Sequence, residues 1–263
     1  MDAFQKYWSF INRIVVEESS SPHNDKLIVA IQDGKYVLNT KNANYSFGSL
    51  HRVFQKAFKI IHLKERNFSS CLLLGGGAGS VPSILYNELG LNLSTTVVEI
   101  DKEVIRLGEK YFKLGDYPNL KIVNEDAFVF VSNTTETYDL IAIDIFKNVV
   151  VPERFISPVF FNVIKKRLNP NGVVIFNFVS FDFETKQQVK NIEHLLSTVF
   201  NKDYRITLHK IESLNRVFVV ENNYITQSLL FFSCLHVVLC KLISGRDNVK
   251  FVRILPTIPN FQN

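Results

Sequence analysis

Gly75, Gly77 and Gly79 stand at alternate positions, with Gly76 between the first two, directly after an apolar run at 71–74. A helical pattern follows, with Val81, Ile84, Leu85 and Leu89 on one face. A second apolar run at 95–100 then carries Glu99 near its end, with Ile100 and Asp101 beside it. Each part suits one task. Glycine accepts positive φ and lets a ligand approach where a Cβ would collide. The start of the following helix offers free N–H groups and a positive dipole end. A carboxylate at the tip of the next strand, about 20 residues on, can take two hydrogen bonds from ribose hydroxyls. The order of strand, glycine turn, helix and acid predicts a nucleoside site. Gly75, Gly76, Gly77 and Gly79 form its cradle, and Glu99 with Ile100 forms its ribose end.

The glycine spacing narrows the ligand. In G-x-G-x-G the third glycine comes one position too early for the nicotinamide fingerprint. A turn of this kind with an acid on the second strand points to S-adenosylmethionine. Asp126-Ala127, after the third strand, adds an adenine contact: the carboxylate can accept from the amino group and the next N–H can donate to the ring. Asp126 can also cap the helix that follows, and both roles can coexist. Asp144 ends the apolar run at 138–144, where open α/β sheets hold their ligands.

These residues need a scaffold, and the chain reads as one. Helical and apolar segments alternate from 50 to 221, predicting an α/β fold with a doubly wound, mostly parallel, Rossmann-like sheet. Strands at 204–209 and 216–221 close it as a hairpin. Residues 1–48 read as a small N-terminal β-hairpin subdomain, with Asp33-Gly34 as its turn. Residues 49–223 form the nucleoside-binding domain, and 224–263 a C-terminal extension with a helix at 227–243.

Composition agrees with a globular protein. The chain has 263 residues, 46% hydrophobic, with a net charge of +5. Lys165-Lys166-Arg167 is the one tight basic cluster and reads as a solvated helix face, so no nucleic-acid partner is expected. Cys234, His236 and Cys240 lie in an apolar helical run and read as packing, so no metal is expected. No apolar window is long enough to span a membrane. A cytoplasmic protein with a small-molecule substrate is the expectation, with a homodimer as one option.

The motifs resemble the spermidine synthases (polyamine aminopropyltransferases), within the S-adenosylmethionine-dependent methyltransferase fold. The resemblance rests on Leu-Gly-Gly-Gly-Ala-Gly at 74–79, Val-Glu-Ile-Asp at 98–101, Glu-Asp-Ala at 125–127 and Tyr-Asp-Leu-Ile-Ala-Ile-Asp at 138–144. It continues through Pro152-Glu153, Phe160-Phe161 and Asn215-Arg216-Val217. It implies a transferase in which Asp144 orients and deprotonates the attacking group, with Lys147 and Glu153 in the substrate pocket.

Three departures shape the expected reaction. Ala78 stands where the family has an acid that holds the amine of decarboxylated S-adenosylmethionine. Lys147 stands where it has the acid that grips the polyamine. Residues around Tyr45-Ser46-Phe47 replace its Tyr-His-Glu. On these grounds the expected reaction is methyl transfer from S-adenosylmethionine to a non-polyamine acceptor. The alternatives are aminopropyl transfer from decarboxylated S-adenosylmethionine to putrescine, and a non-catalytic nucleoside-binding scaffold.

Overall fold

The computed structural model describes residues 1–40, 44–46 and 48–223. The expected helix at 227–243, with Cys234, His236 and Cys240, lies outside the described residues. So do the side chains around Tyr45-Ser46-Phe47.

A short helix, α1 (Ala3–Trp8), precedes a four-stranded antiparallel sheet in chain order: β1 (Ile14–Ser19), β2 (Leu27–Gln32), β3 (Lys35–Thr40) and β4 (Asn44–Ser46). Asp33 and Gly34 join β2 to β3 with φ of +51° and +72°. A tight turn needs those values to match the strands' twist. The sequence reading missed α1, which Asp2 caps by accepting the Gln5 N–H.

After α2 (Ser49–Ile60) the chain alternates as expected. It runs through β5 (Ser70–Leu74), α3 (Ser80–Ser83, continued by a π-helical turn at Ile84–Glu88), β6 (Ser94–Glu99), α4 (Lys102–Phe112), β7 (Leu120–Asn124) and α5 (Ala127–Asn133). It continues through β8 (Tyr138–Ile143), α6 (Pro158–Arg167), β9 (Leu168–Val179), α7 (Phe183–Phe200), β10 (Tyr204–Ile211) and β11 (Asn215–Asn222). The seven strands lie in the order β10-β11-β9-β8-β5-β6-β7. Strands β5 to β9 are parallel, and β11 runs antiparallel between β9 and β10.

Both faces of this sheet are covered, which is why its central strands read as unbroken apolar runs. Leu72, Leu74, Phe176 and Phe178 pack on one face with Phe160 and Phe161 of α6. Cys71, Leu73, Val173 and Ile175 pack on the other with Phe54 of α2 and Ile84. The basic cluster on α6 is more structural than expected. Lys165 donates to the Val199 carbonyl and Arg167 to that of Val131, which leaves Lys166 exposed. Among the described residues no helix is long and apolar enough to cross a membrane.

A third apolar cluster fastens the small sheet to the large domain. Leu27, Val29 and Leu38 meet Ala78 and the Val104, Leu107 and Phe112 side chains of α4. Beside it, the Glu17 carboxylate of β1 accepts from Arg106, Lys110 and Tyr111, all on α4. Those donors hold its pKa at about 2, below the ordinary 4.5. A carboxylate depressed in the folded state contributes its full stability above the unfolded value and loses it as pH falls through the folded one. Acid titration of unfolding should therefore show stability falling between about pH 4.5 and 2. Glu17→Gln should be less stable at neutral pH and show a shallower loss over that window.

Candidate functional site

A cleft of about 640 Å³ opens at the carboxyl ends of β5, β6 and β8. Its floor is the glycine turn. The N–H groups of Gly75 and Gly76 both donate to the Val98 carbonyl, at 3.0 and 3.2 Å. Gly75 has φ of +84°, and a Cβ there would sit 2.3 Å from the Asp144 carbonyl oxygen. A Cβ on Gly76 would lie 2.2 Å from a Val97 methyl. Gly75, Gly76 and Gly77 line the cleft as expected. Gly79 does not: it starts α3 with φ of +101° and packs against Leu114.

Ala78 is not a cleft residue either. It is fully buried in the cluster between the small sheet and α4. The Ala78 methyl lies in an apolar core and brings no charge to the cleft.

Glu99 ends β6 with only 3% exposure. Its Oε2 accepts the Gly77 N–H at 2.9 Å and its Oε1 the Asp101 N–H at 3.0 Å. Burial pushes its pKa up to about 7, helped by the Asp101 charge and opposed by those backbone bonds. Ile100 lines the cleft beside it. Asn124 at the end of β7 donates to the carbonyls of Glu99 and Ile100, at 2.9 Å each, and steadies this strand tip. Asp101 looks away from the cleft. It caps α4 through the Glu103 N–H and accepts from Ser21 and Asn24, drawing the β1–β2 loop over the rim. Pro22, His23 and Asn24 of that loop line the cleft, and the sequence reading named none of them.

Asp126 and Ala127 also line it. Asp126 Oδ1 caps α5 by accepting from the Phe128 and Val129 N–H groups. Its Oδ2 is paired with Arg154, whose guanidinium lies over the Phe155 ring at 4.7 Å. Arg154 went unnoticed because nothing in its local pattern marks it. Glu153, its predecessor, is exposed and does not line the cleft, whereas the half-exposed Arg154 does.

Asp144 follows β8 and is half-buried in the cleft. Its N–H donates to the Leu74 carbonyl at 2.8 Å. Burial raises its pKa to about 7, with the Glu99 charge adding and a hydrogen bond from Asn177 opposing. Asn177 Nδ2 reaches Asp144 Oδ1 at 2.9 Å, and Asn215 Nδ2 reaches Asn177 Oδ1 at 2.9 Å. Asn177 had a visible signal: it is the single polar residue in the apolar run 173–179. Lys147 lies on a tight turn closed by paired backbone bonds with Val150, and it is exposed at the rim.

Against known proteins, residues 59–227 match the family described as "Spermine/spermidine synthase domain". A "Polyamine aminopropyltransferase" of Vibrio vulnificus is 31% identical over 149 residues, which is 56% of this chain and 48% of that one. The chain thus spans about half the length of that curated relative. A solved spermidine synthase in complex with the transition-state analogue AdoDATO superposes with a TM-score of 0.58 at 18% identity, over 80% of this chain and 73% of that one. Human methyltransferase-like protein 13 in complex with SAH superposes at 0.55 and 18%, over 67% and 83%. These structures share the Rossmann-like methyltransferase fold.

The sequence matches overturn the expected methyl transfer to a non-polyamine acceptor. Two of the three departures behind it also lose weight, and the third, around Tyr45-Ser46-Phe47, lies outside the described residues. Ala78 faces the core, and the exposed Lys147 ammonium acts through water, where a charge pair 4 Å apart is worth only about 1 kcal/mol.

Gly75→Ala tests the floor of the cleft. Positive φ alone costs about 1–2 kcal/mol for a non-glycine residue, and the Asp144 carbonyl must also move. Calorimetry should show a melting temperature lower by several degrees and loss of nucleoside binding. A variant with wild-type stability would show that the two backbones are not tightly opposed.

Proposed function

Because the chain belongs to the spermine/spermidine synthase domain family, we propose that it transfers an aminopropyl group from decarboxylated S-adenosylmethionine to an amine of putrescine. One observation carries this reading. Glu99 and Asp144 line the same cleft, both raised to about 7, and both are held by neutral donors rather than by basic side chains. Two carboxyls held by neutral donors, one buried and one half-buried, favour ligands that bring positive charge. A sulfonium nucleoside and a polyamine both do.

The residues fit such a nucleoside. Gly75 and Gly76 leave the space a Cβ would fill. Glu99, with one backbone N–H on each carboxylate oxygen, keeps a second lone pair on each for a ribose diol. Asp126 and Ala127 suit the adenine edge, with Pro152 and Phe155 as an apolar wall. Bound there, decarboxylated S-adenosylmethionine supplies a carbon whose bond to sulfur breaks toward sulfur as an amine nitrogen bonds to it. Asp144 takes the proton that an ammonium must lose before its nitrogen has a lone pair. From an amine near 10.4, transfer to a carboxylate at the ordinary 3.8 costs about 9 kcal/mol, and to one at about 7 only about 5. Burial of Asp144 therefore matters to the rate.

Mass spectrometry of the purified protein with putrescine and decarboxylated S-adenosylmethionine should show spermidine and methylthioadenosine in equal amounts, at roughly 1 per second or faster. Asp144→Asn should slow this at least about 100-fold. Absence of spermidine from a folded wild-type protein would reject the reading.

Ligand binding gives a separate check on Glu99. Ribose hydroxyls donate to its ionised form, so methylthioadenosine affinity should weaken as pH falls below about 7. Glu99→Gln should bind about tenfold to a hundredfold more weakly at pH 8 and lose that part of the pH dependence. Calorimetry showing the same affinity and pH profile in both proteins would remove Glu99 from the site.

A further inference from the structure

Asn177 is wholly buried in the stretch of β9 from Val173 to Val179, where the other side chains are apolar. A buried amide is costly unless its donors and acceptor are used. Here both ends are used, and in a fixed order. While Asp144 is ionised its carboxylate only accepts, so Asn177 turns its NH2 toward it. That leaves its carbonyl oxygen facing β11, where Asn215 supplies the NH2 that holds it. The antiparallel pairing places Asn215 opposite Val179 and Val217 opposite Asn177, so the two amides start from neighbouring strands two residues out of register. The Ser180 N–H, bonded to the Leu214 carbonyl at 2.9 Å, fixes the same corner.

We propose that Asn215 and Asn177 form an amide relay that positions Asp144, occupying its Oδ1 and leaving Oδ2 as the oxygen that takes the proton from the acceptor amine. The proposal rests on the aminopropyltransferase reading for its catalytic meaning, but the relay itself is a property of the ligand-free protein. Asn177 and Asn215 are positioning residues, since they act through Asp144. The relay has two effects. It orients the carboxyl, and it holds Asp144 below the pKa that burial alone would impose.

Other charged groups around Asp144 must be weighed with it. Glu99 faces it from the end of β6 and raises its pKa. Lys147 follows it on the same loop, His23 comes from the β1–β2 loop, and Asp126 and Arg154 complete the cleft as a mutual pair. On β11, Arg216 turns its guanidinium to the backbone carbonyls of Ser213 and Asn215. None of these replaces the Asn177 bond to Oδ1.

The test is a carbon-13 NMR titration of aspartate carboxyls without substrate, with Asp144 assigned from Asp144→Asn. Losing a hydrogen bond to a charged group should raise the Asp144 pKa by about one unit or more in Asn177→Leu. Asn215→Ala should raise it in the same direction by less. Asn215 is half-buried at the start of its strand, so that variant serves if Asn177→Leu does not fold. In the transfer assay, the acid limb of the kcat profile should move up by the same amount, with KM for putrescine little changed. A folded variant whose Asp144 titrates as in the wild type overturns the relay. So does a kcat loss with an unmoved pH profile, which is what mere loosening of the sheet would give. If the wild type makes no spermidine, the transferase reading falls, and the substrate-free titration still decides the relay.

Discussion

No side chain fits at Gly75. Its φ of +84° and the 2.3 Å that would separate an added Cβ from the Asp144 carbonyl oxygen make it the point where β5 and β8 lock together. The Asp144 N–H bonds back to the Leu74 carbonyl, and the Gly75 and Gly76 N–H groups bond to the Val98 carbonyl. Three strand ends are thus tied by backbone bonds before any side chain takes part. The cleft follows from that knot. Glu99 leaves it from β6 and Asp144 from β8, and the glycines between them leave room for a ligand.

The protein uses its carboxylates in two opposite ways. Glu17, on the small sheet, is surrounded by Arg106, Lys110 and Tyr111, and its pKa falls to about 2. It is permanently charged and acts as a fastener. Among the described residues Glu99 accepts from backbone N–H groups and Asp144 from an amide, and burial raises both to about 7. They are held in place by neutral donors, the opposite of the Glu17 arrangement. Of the basic groups in the cleft, Lys147 is exposed at its rim and Arg154 is committed to Asp126.

Residue identity at a motif position does not give direction, and two positions show it. Ala78 interrupts the glycine turn where an acid would suggest cofactor selection, yet its methyl fills a cluster with Leu27, Val29, Leu38 and Val104. Lys147 reverses a charge on paper, yet it is solvated on a tight turn, where water screens it. The expectation of methyl transfer rested on residue type at both positions. Packing of the small sheet on α4 buries the one, and a tight turn exposes the other.

Local patterns in the chain were enough to determine the α/β alternation, the Asp33-Gly34 hairpin, the glycine turn, and Glu99, Asp126 and Asp144 at strand ends. All of these depend on backbone preferences and burial periodicity within about ten residues. Tertiary structure alone decided the rest. Asn215 meets Asn177 only because β11 inserts between β9 and β10. Asn24 reaches the rim only because Asp101, 77 residues away, accepts its amide. Arg154 lines the cleft through its pair with Asp126, 28 residues away, while Glu153 beside it does not line it. Such contacts join segments far apart in the chain and leave no periodic trace in the sequence.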